Sequence, residues 1–545
     1  MTTWNDGFLL PIITVLFVCV TGIPACSQTH VLSKSSDSSY AQVRIQIVDS
    51  LTSRPTPVRV RITKNDNRVV KILPENAIAV MYGLWDHADG YGFQPDSAFY
   101  VDGFFELLLE PGRYTITLSK GVEYLNQQHA FILTSGSALD TTFRMARWIN
   151  MPLKGWYSAD NHIHIRRSPR EDQLLMKWIQ AEDIHIGVLL KMGDFWATYY
   201  AQYGWGEQGV YQDGNYLLTS GQEDPRTPEL GHAIGFGASA YVRDATSYYY
   251  YDKVFDRLHQ LGGITGYAHQ AKSFHGYRGL MLDGLRRKVD VLELLQFCIS
   301  EDPLHTQHYY HLLDLGYAVT AIAGSDFPWC GNDHSNGPPE KNARIGNVRF
   351  YSFLESPLSY SSWKNAIKKG HTFVTSGPML SFTVNDKLPG DTLFLKNGSA
   401  IQIKATAFGH SRQVPLDRLE VLVHGKTVTT ISAKDPKQST AQLSIDMQFD
   451  ITEGCWIAVK CYAGTGQVAH ATPVYVSVDG SGFHNKATIN KYLDLAEQHL
   501  RELEKNLRKN DNNPEYQSWR YRKGIKKRII DTRNVIMQLR RKKEQ

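Results

Sequence analysis

The chain has 545 residues, 42% of them hydrophobic and 21% charged, an ordinary composition for a globular protein with room for about three or four domains. The formal net charge is only +5, and it is uneven, because residues 486–545 hold 17 Lys and Arg against 8 Asp and Glu. The tail therefore carries a net charge of +9 and the rest of the chain −4, so the body of the protein is not expected to bind nucleic acid.

The first 27 residues are predicted to be a signal peptide or a lipoprotein leader. An apolar run from Phe8 to Val20 is too short for a membrane-spanning helix. Ala25-Cys26-Ser27 offers the small residues that a signal peptidase reads, whereas Ile23–Cys26 resembles a bacterial lipobox. We therefore expect an exported protein, periplasmic or extracellular, that meets a membrane only through a lipid on Cys26. An uncleaved buried helix is the alternative.

Four regions with different patterns follow the leader. Residues 40–150 alternate apolar and polar positions in segments such as VRIQIVDS, which predicts a β-sandwich. In residues 151–378, short apolar segments such as IGVLL alternate with helical ones such as EDQLLMKWIQAED, which predicts βα repetition with a parallel sheet or barrel. Strand-like alternation returns in 379–480 and predicts a second β-sandwich. Residues 485–545 predict a basic helical hairpin with a solvated surface.

The stretch GWYSADNHIHI places three polar side chains at alternate positions of the first strand of the βα region. Asp160, His162 and His164 are expected to share one face of that strand, because side chains at i and i+2 point the same way. In βα barrels the end of a strand is the functional rim. Taken alone, the stretch is equally consistent with a solvated polar strand face.

Three later strand ends add side chains of the same kind. Glu223 and then His232 lie in TSGQEDPRTPELGHAIGFG, and His269 ends GGITGYAHQ. Asp326 follows the apolar segment AVTAIAG, whose Gly324 is expected to allow another backbone to approach closely. Nitrogen and oxygen donors of these types suit Zn²⁺, Mn²⁺ or Fe²⁺. Their recurrence at separate strand ends predicts a metal site.

The order Asp-x-His-x-His, Glu…Gly-His, Ala-His and Gly-Ser-Asp resembles the polymerase-and-histidinol-phosphatase (PHP) superfamily. RWINMPLKGWYSADNHIHI, QAEDIHIGVLL, RIGNVRFY and HTFVTSGPMLSFTVNDKLPGD resemble its carbaryl-hydrolase-like branch, the CehA/McbA family. The resemblance covers about Ala41 to Gly480. It implies an α/β fold, a distorted βα barrel flanked by N-terminal and C-terminal β-sandwich domains, with divalent transition-metal ions at the rim.

The resemblance also implies a role for each candidate residue. The implied ligands are His162, His164 and Asp326 for one ion, with Glu223 bridging to a second ion held by His232 and His269. Asp160 would orient a histidine. Glu293, in VDVLELLQ, would either support a ligand or be a plain polar residue, and Arg344 would meet an anionic substrate group or pair with a carboxylate.

Two departures from the family pattern limit the expected metal count. The Thr-Asp-His that often follows the second strand is replaced by EDIHIGVLL, and Pro328 stands where the family often has a histidine. A third metal site therefore lacks ligands, and two ions or one are expected. His185 is interpreted as structural, and His275 and His334 as loop residues that do not ligate.

These observations predict a secreted or periplasmic metal-dependent hydrolase that cleaves an ester, a carbamate or a phosphoester in a small-molecule substrate. A metal-bound water can ionise near pH 7, so no Ser or Cys nucleophile is required. Aromatic residues in DFWATYYAQYGWGEQGVYQDGNY and SYYYYDK favour an aryl or sugar-containing substrate if they wall the site; otherwise they are packing. The alternatives are a carbohydrate- or surface-binding protein with a degenerate barrel, and a metal-dependent lyase acting on a sugar.

Overall fold

The computed structural model describes residues 39–65, 68–81, 90–94, 96–271, 275–296, 304–328, 344–433, 441–464, 466–507 and 516–543. The predicted leader with Cys26, and also His334, lie outside the described residues. Among the residues described, no helix is long and apolar enough to cross a membrane.

Two small β-sheets pack face to face in the first region. The strands of this region are β1 Ala41–Asp49, β2 Pro57–Lys64, β3 Arg68–Val69, β4 Val80–Met81, β5 Gly90–Tyr91, β6 Phe99–Asp102, β7 Phe104–Leu109, β8 Gly112–Ser119, β9 Gln127–Leu133 and β10 Ala138–Met145, with β4 and β5 paired in a two-stranded sheet of their own. One sheet has the order β10-β1-β7, and the other has β3-β2-β8-β9 with β6 beside β2. Val43, Ile45 and Ile47 alternate with polar residues along β1, so one face of the strand enters the core between the sheets.

The next region contains the strands that hold the predicted metal ligands. Its elements are β11 Trp156–Ile163, α1 Asp172–Ala181, β12 Ile186–Gly193, β13 Thr198–Tyr199, β14 Tyr211–Asp213, β15 Tyr216–Thr227, β16 Gly231–Phe236, α2 Tyr251–Gln260, β17 Ile264–Tyr267, α3 Gly276–Gly284, β18 Val291–Gln296, α4 Gln307–Asp314, β19 Thr320–Gly324, β20 Arg349–Phe353, α5 Tyr360–Lys369 and β21 Thr372–Thr375. β11 lies inside the sheet, since it pairs with β12 on one side and β20 on the other. It is buried along almost its whole length, as expected of a strand covered on both faces.

The α/β class and the distorted βα barrel predicted from the sequence are wrong. The chain is mostly β, with 42% strand and 23% helix, and it is built around a large curled sheet that forms a half-barrel, accompanied by sandwich-like sheets. The curled sheet is mixed: β11–β12, β12–β15, β17–β18 and β18–β19 are parallel, whereas β15–β16, β16–β17 and β11–β20 are antiparallel. It also continues through β21 into the strands of the third region.

The connections between strands explain the error. A parallel βα barrel needs a crossover helix after each strand, because parallel neighbours cannot be joined by a tight turn. Here β12 is followed by the short strands β13 and β14, and β15 turns back directly into β16. The apolar segments do form strands, but their partners depend on these connections.

The third region continues the large sheet and adds a separate three-stranded sheet. Its strands are β22 Met379–Val384, β23 Thr392–Leu395, β24 Ser399–Phe408, β25 Leu416–Val423, β26 Lys426–Ser432, β27 Gln442–Ile451, β28 Cys455–Ala463, β29 Val468–Ala471 and β30 Val474–Val478. The separate sheet has the order β22-β24-β27. Phe382 and Ile403 from this sheet share an apolar core with Val421 and Ile457 from the large sheet, so the two sheets pack together.

Two helices, α6 Ile489–Asn506 and α7 Arg522–Lys543, complete the described chain. Leu500 of α6 and Ile529 of α7 are buried in the apolar core that also lies against the central strands. Arg528 is buried as well and donates to Asp283 Oδ1 at 2.6 Å and to the Tyr249 carbonyl at 2.7 Å. All the described residues belong to one compact unit, Ser39–Gln545, and the domain limits drawn from the sequence stay predictions.

Candidate metal centre

Four histidines and three carboxylates meet where several strands of the curled sheet end. They are His162 and His164 at the end of β11, Glu223 on β15, His232 on β16, His269 after β17, Glu293 on β18 and Asp326 after β19. None of the seven is more than 7% exposed. Buried groups of this composition are able to bind a metal ion.

Three ligand atoms form the tightest group in the cluster. His162 Nε2 lies 3.1 Å from His164 Nε2 and 3.2 Å from Asp326 Oδ1, and His164 Nε2 lies 3.3 Å from the same oxygen. An ion with bonds of about 2.1 Å and bond angles near tetrahedral or octahedral values holds its ligand atoms about 3.0–3.4 Å apart. The separations in this group therefore fit a single metal ion.

A second group shares its carboxylates with the first. Glu223 Oε1 lies 2.7 Å from His232 Nδ1 and 3.9 Å from His269 Nε2, while Asp326 Oδ2 lies 3.1 Å from His269 Nε2. The other oxygen of Glu223, Oε2, lies 3.4 Å from His164 Nε2 in the first group. Asp326 therefore turns one oxygen towards each group. Glu223 lies between the two groups, with Oε1 also 3.8 Å from His162 Nε2, an arrangement suited to two neighbouring ions.

Glu293 holds the histidines of the cluster in place. Its Oε1 accepts hydrogen bonds from Asn161 Nδ2 and His162 Nδ1, both at 2.8 Å, and its Oε2 accepts one from the His269 backbone N–H at 2.9 Å. A proton on His162 Nδ1 leaves the Nε2 lone pair directed at the first group. The role of orienting a histidine ring, which the sequence assigned to Asp160, is therefore carried by Glu293.

Asp160 binds backbone instead. It accepts from the N–H groups of His162 at 3.1 Å, Ser325 at 3.0 Å and Gly346 at 2.8 Å, and so ties β11 to the segments after β19 and before β20. Burial raises the pKa of Asp160 in spite of these hydrogen bonds. The register of β11 against β12 shifts between Asp160 and Ile163, so the strict alternation that predicted one shared face for Asp160 and the histidines does not hold.

Arg344 is not brought to the cluster. Its Nε donates to Asn347 Oδ1 at 2.8 Å, and it lines a separate cavity of about 330 Å³ together with Glu182 and Arg349. Burial, and then the nearby cation Arg59, lower the pKa of Arg344. The contacts of Arg344 within the described residues include none of the candidate ligands.

The remaining histidines singled out in the sequence lie away from the cluster where they are described. His185 Nδ1 lies 2.8 Å from Ser158 Oγ, its ring stacks on Tyr216 at 5.1 Å, and burial lowers its pKa to about 4. This environment agrees with the structural role proposed from the sequence. His275 is exposed at the start of α3.

The backbone is unusual at two candidate ligands. His269 has φ of 55° and Asp326 has φ of 57°, in the left-handed region that residues with a Cβ seldom adopt. Such conformations cost about 1–3 kcal/mol and are concentrated at functional sites. At Gly324 the expected close approach is confirmed, because a Cβ there would overlap Cβ of His162 and lie 3.0 Å from its backbone nitrogen.

Besides Asn161, two polar residues in contact with the cluster were missed from the sequence. Arg226 Nε lies 3.0 Å from Glu223 Oε2, and Gln296 Nε2 donates to Asp326 Oδ2 at 3.0 Å. Strand alternation would put Arg226, three residues after Glu223, on the opposite face. A register shift between these two residues of β15 brings both to the same side, and Pro225 between them, which cannot donate a backbone hydrogen bond, was the local signal for that shift.

The charges of the cluster favour the ligand forms of Glu223, Asp326 and His232, but not that of His162. Burial opposes protonation of His162, yet Glu293 and Asp326 outweigh burial and raise the pKa of His162 well above its ordinary value. Burial raises the pKa of Glu223, but Arg226 and His232 outweigh it and hold that pKa well below its ordinary value. Burial likewise opposes ionisation of Asp326, yet the histidines around it keep its pKa low. Burial and then Arg226 lower the pKa of His232 to about 3, so this imidazole is neutral at pH 7.

The aromatic segments divide between packing and the site. Tyr248, Tyr249 and Tyr251 of SYYYYDK are buried, and Tyr249 stacks on Tyr521 at 5.1 Å, so this segment packs the core and the C-terminal helices. From the other segment, the ring of Tyr200 lies 5.4 Å from that of His164. Within the described residues of these two segments, Tyr200 is therefore the aromatic residue whose ring contacts a candidate ligand.

Comparisons with known proteins identify no family for this chain. No family model matches it, and no curated protein matches it. Among solved structures, a streptococcal ancillary pilin matches with 12% identity and a TM-score of 0.15, over 24% of this chain and 37% of the pilin chain. A TM-score this low does not indicate a shared fold. The resemblance to the PHP superfamily therefore depends on the sequence motifs alone and stays a hypothesis.

Proposed function

We propose that the protein is a metal-dependent hydrolase that holds two divalent transition-metal ions, Zn²⁺, Mn²⁺ or Fe²⁺, between its buried histidines and carboxylates. The observation that carries the proposal is the contact between His162 Nε2 and Asp326 Oδ1 at 3.2 Å. In the neutral His162 ring, whose proton on Nδ1 faces Glu293, both of these atoms are lone-pair acceptors. Two buried acceptors this close repel each other unless a cation or a proton lies between them.

Each side chain of the cluster has its own role in this proposal. Bound ions would supply a water that ionises near neutral pH and positive charge opposite the charge developing on the substrate. His162, His164 and Asp326 hold one position and His232 and His269 the other, with Glu223 and Asp326 facing both. Glu293 keeps His162 in one tautomer and orientation, which preserves the ligand geometry without reorganisation.

The proposed reaction is hydrolysis of an ester, carbamate or phosphoester bond in a small molecule. An aryl or sugar-containing substrate depends on the sequence pattern of the aromatic segments alone, because Tyr200 beside His164 is only 1% exposed and packs against that ring. The motif resemblance to the CehA/McbA family agrees with this ligand set and is retained as a hypothesis about the motifs, not about the fold. Lyase chemistry would use the same ligands; hydrolysis in ¹⁸O-labelled water puts the label in a product, whereas elimination does not.

Metal quantification in the purified protein tests the proposal. We expect about two transition-metal ions per chain in the wild type, and loss of bound metal together with loss of ester turnover on chelation. His162→Ala and Asp326→Asn should bind less metal. His371→Gln is the matched control, because His371 is also buried and lies 3.1 Å from a carboxylate, Asp391, outside the cluster. A wild type that takes up no transition metal under any loading condition would contradict the proposal.

Export of the protein is also proposed, on the strength of the apolar run and of the residues around Cys26. The intact mass of the mature protein from the producing cell tests it. Cleavage after Ser27 indicates a signal peptide, and a lipid-modified Cys26 at the new N-terminus indicates a lipoprotein. An intact N-terminus would contradict export by either route.

A further inference from the structure

The second of the C-terminal helices, α7, has a buried face and an exposed face. Ile525, Ile529 and Ile536 are at most 4% exposed and belong to the core that packs against the central strands. On the other side, six exposed residues follow one another at spacings of four and three, so that they share one face of the helix. This outer stripe consists of Lys523, Lys527, Ile530, Asn534, Met537 and Arg541. It is about 27 Å long, because an α-helix rises about 1.5 Å per residue.

The outer stripe is basic. The sequence of α7 contains ten Lys and Arg against one acidic residue, Asp531, which lies off the stripe, so the helix has a net charge of +9. Three of its arginines form salt bridges with carboxylates of α2, α3 and α6. Within the described residues, by contrast, Lys523, Lys527 and Arg541 form no salt bridge. The cations of the stripe are therefore exposed without an acidic partner from that part of the chain.

Two large apolar side chains stand among the cations of the outer stripe. Ile530 is 55% exposed and Met537 is 49% exposed. They are seven residues apart, so they lie about 10 Å from each other along the helix. A helix that lies on a membrane has this pattern, because its apolar side chains enter the acyl boundary while its Lys and Arg side chains meet anionic headgroups.

Other partners match the outer stripe less well. A second copy of the chain docked through the same stripe would set cations against cations. A soluble polyanion such as a nucleic acid would pair with Lys523 and Lys527, but contacts to its phosphates use charged and polar groups and would leave Ile530 and Met537 in water. A surface of acidic phospholipids provides anionic headgroups and an apolar interior together. The charge and the exposed apolar side chains of the stripe therefore favour a lipid surface.

We infer that the outer stripe of α7 docks the protein on a membrane surface that contains acidic phospholipids. The helix lies along this surface and does not cross the bilayer, since its inner face stays packed on the core. Docking is reversible, because two apolar side chains bury little area and salt screens the charges. This contact is additional to the lipid on Cys26 expected from the sequence, and it does not depend on the proposed metal-dependent activity.

Co-sedimentation of the full-length chain with lipid vesicles tests the inference. Every sample carries Cys26→Ala, so that no lipid on this residue contributes to binding. Vesicles of equal parts phosphatidylglycerol and phosphatidylcholine should bind the protein at least about 30-fold more tightly than vesicles of phosphatidylcholine alone, because three cations of the stripe meet the anionic surface. This binding should be lost in about 1 M NaCl, where the Debye length falls to about 3 Å.

Two double variants separate the charged and apolar parts of the stripe. Lys523→Gln with Lys527→Gln should weaken binding to the phosphatidylglycerol vesicles about 25-fold, since each cation beside an anionic lipid surface contributes about fivefold. Ile530→Gln with Met537→Gln should weaken it at least about 10-fold, because no side chain of the stripe then enters the acyl boundary. All four side chains are exposed, so urea unfolding of both variants should match that of the unsubstituted stripe.

Lys396→Gln with Lys404→Gln is the matched control. It removes the same charge from the third region, where the two side chains are 90% and 55% exposed, and should change vesicle affinity by less than about threefold. A protein that binds both kinds of vesicle equally, or neither, would overturn the inference. So would unchanged binding in the Ile530 and Met537 variant, because the stripe would then be a purely electrostatic surface of the kind that suits a soluble polyanion. Equal losses in the control and in the Lys523 and Lys527 variant would assign binding to net charge and also overturn it.

Discussion

Replacing Glu293 with glutamine should separate the ligand-orienting role of this residue from its contribution to the fold. The carboxylate of Glu293 accepts three hydrogen bonds, from Asn161, His162 and the His269 backbone. Glutamine has the same shape but only one accepting oxygen. If that oxygen accepts the hydrogen bonds from Asn161 and His162, the new amide N–H₂ group faces the His269 backbone N–H. Two donors then face each other, and the His269 N–H has no acceptor.

The cost follows from these contacts. One buried backbone N–H left without an acceptor costs about 1–3 kcal/mol, and two hydrogen bonds lose their charge assistance, so Glu293→Gln should lower the free energy of unfolding by about 2–4 kcal/mol. Loss of a group that orients a metal-bound histidine weakens metal binding about 10- to 100-fold. Urea unfolding gives the first quantity, and competition with a chromogenic chelator gives the second.

Asp314→Asn provides the matched control. Asp314 is also a buried carboxylate with several donors, among them Trp456 Nε1 at 2.7 Å and Thr488 Oγ1 at 2.7 Å, but it lies outside the cluster. This variant should lose stability while keeping its metal affinity. If Glu293→Gln is destabilised but binds metal within about threefold of the wild type, Glu293 does not orient a ligand and the reasoning is refuted.

Three further perturbations test other parts of the structure. Gly324→Ala should lower both the free energy of unfolding and the metal content, because the new Cβ would overlap His162. Overpacking of this kind costs about 1–3 kcal/mol. Urea unfolding measures the loss of stability, and metal analysis measures the loss of metal. The pKa values of His308 and His311 are lowered, chiefly by burial, to about 3 and about 4. The unfolded chain binds a proton at each of these histidines below about pH 6.5, whereas the folded chain does not. Each histidine should therefore lower the free energy of unfolding by about 2 kcal/mol when the pH falls from 7 to 5, which urea unfolding at both pH values measures. Arg528→Ala should remove one of the two arginines that pair with Asp252 and Asp283, leaving Arg286 as their cation, cost about 1–3 kcal/mol, and speed proteolytic removal of the C-terminal helices.

Each of these expectations has an outcome that contradicts it. Gly464→Ala, where a new Cβ would make only an ordinary contact 3.9 Å from the Pro415 carbonyl oxygen, should be neutral, and equal stability of the two glycine variants would remove the packing argument. His311→Gln should reduce the stability difference between pH 7 and pH 5, and an unchanged difference would assign it to other groups. Wild-type protease resistance in Arg528→Ala would mean that the apolar contacts of α6 and α7 suffice to hold them.

Local sequence pattern was enough to find the candidate ligands but not all of their roles. His162 and His164 stand at alternate positions of a buried strand, and Asp326 follows an apolar strand with Gly324 beside it, so residue type and strand end could be read directly. The backbone-binding role of Asp160 could not, because it depends on an irregularity in β11. The choice between the two roles left open for Glu293 depends on a partner 131 positions away in the chain.

The sequence by itself determined which segments form strands and helices, which side chains are apolar enough to be buried, and which polar groups are placed at strand ends. Only the tertiary structure decided which strands pair, and with it the fold class, since a period of two specifies a strand's face but not its neighbour. Only the tertiary structure also decided the positions of two arginines. A register shift places Arg226 against Glu223, and Arg344 lies away from the cluster. Pairing depends on hydrogen bonds between distant segments, and these are set by chain connections rather than by local composition.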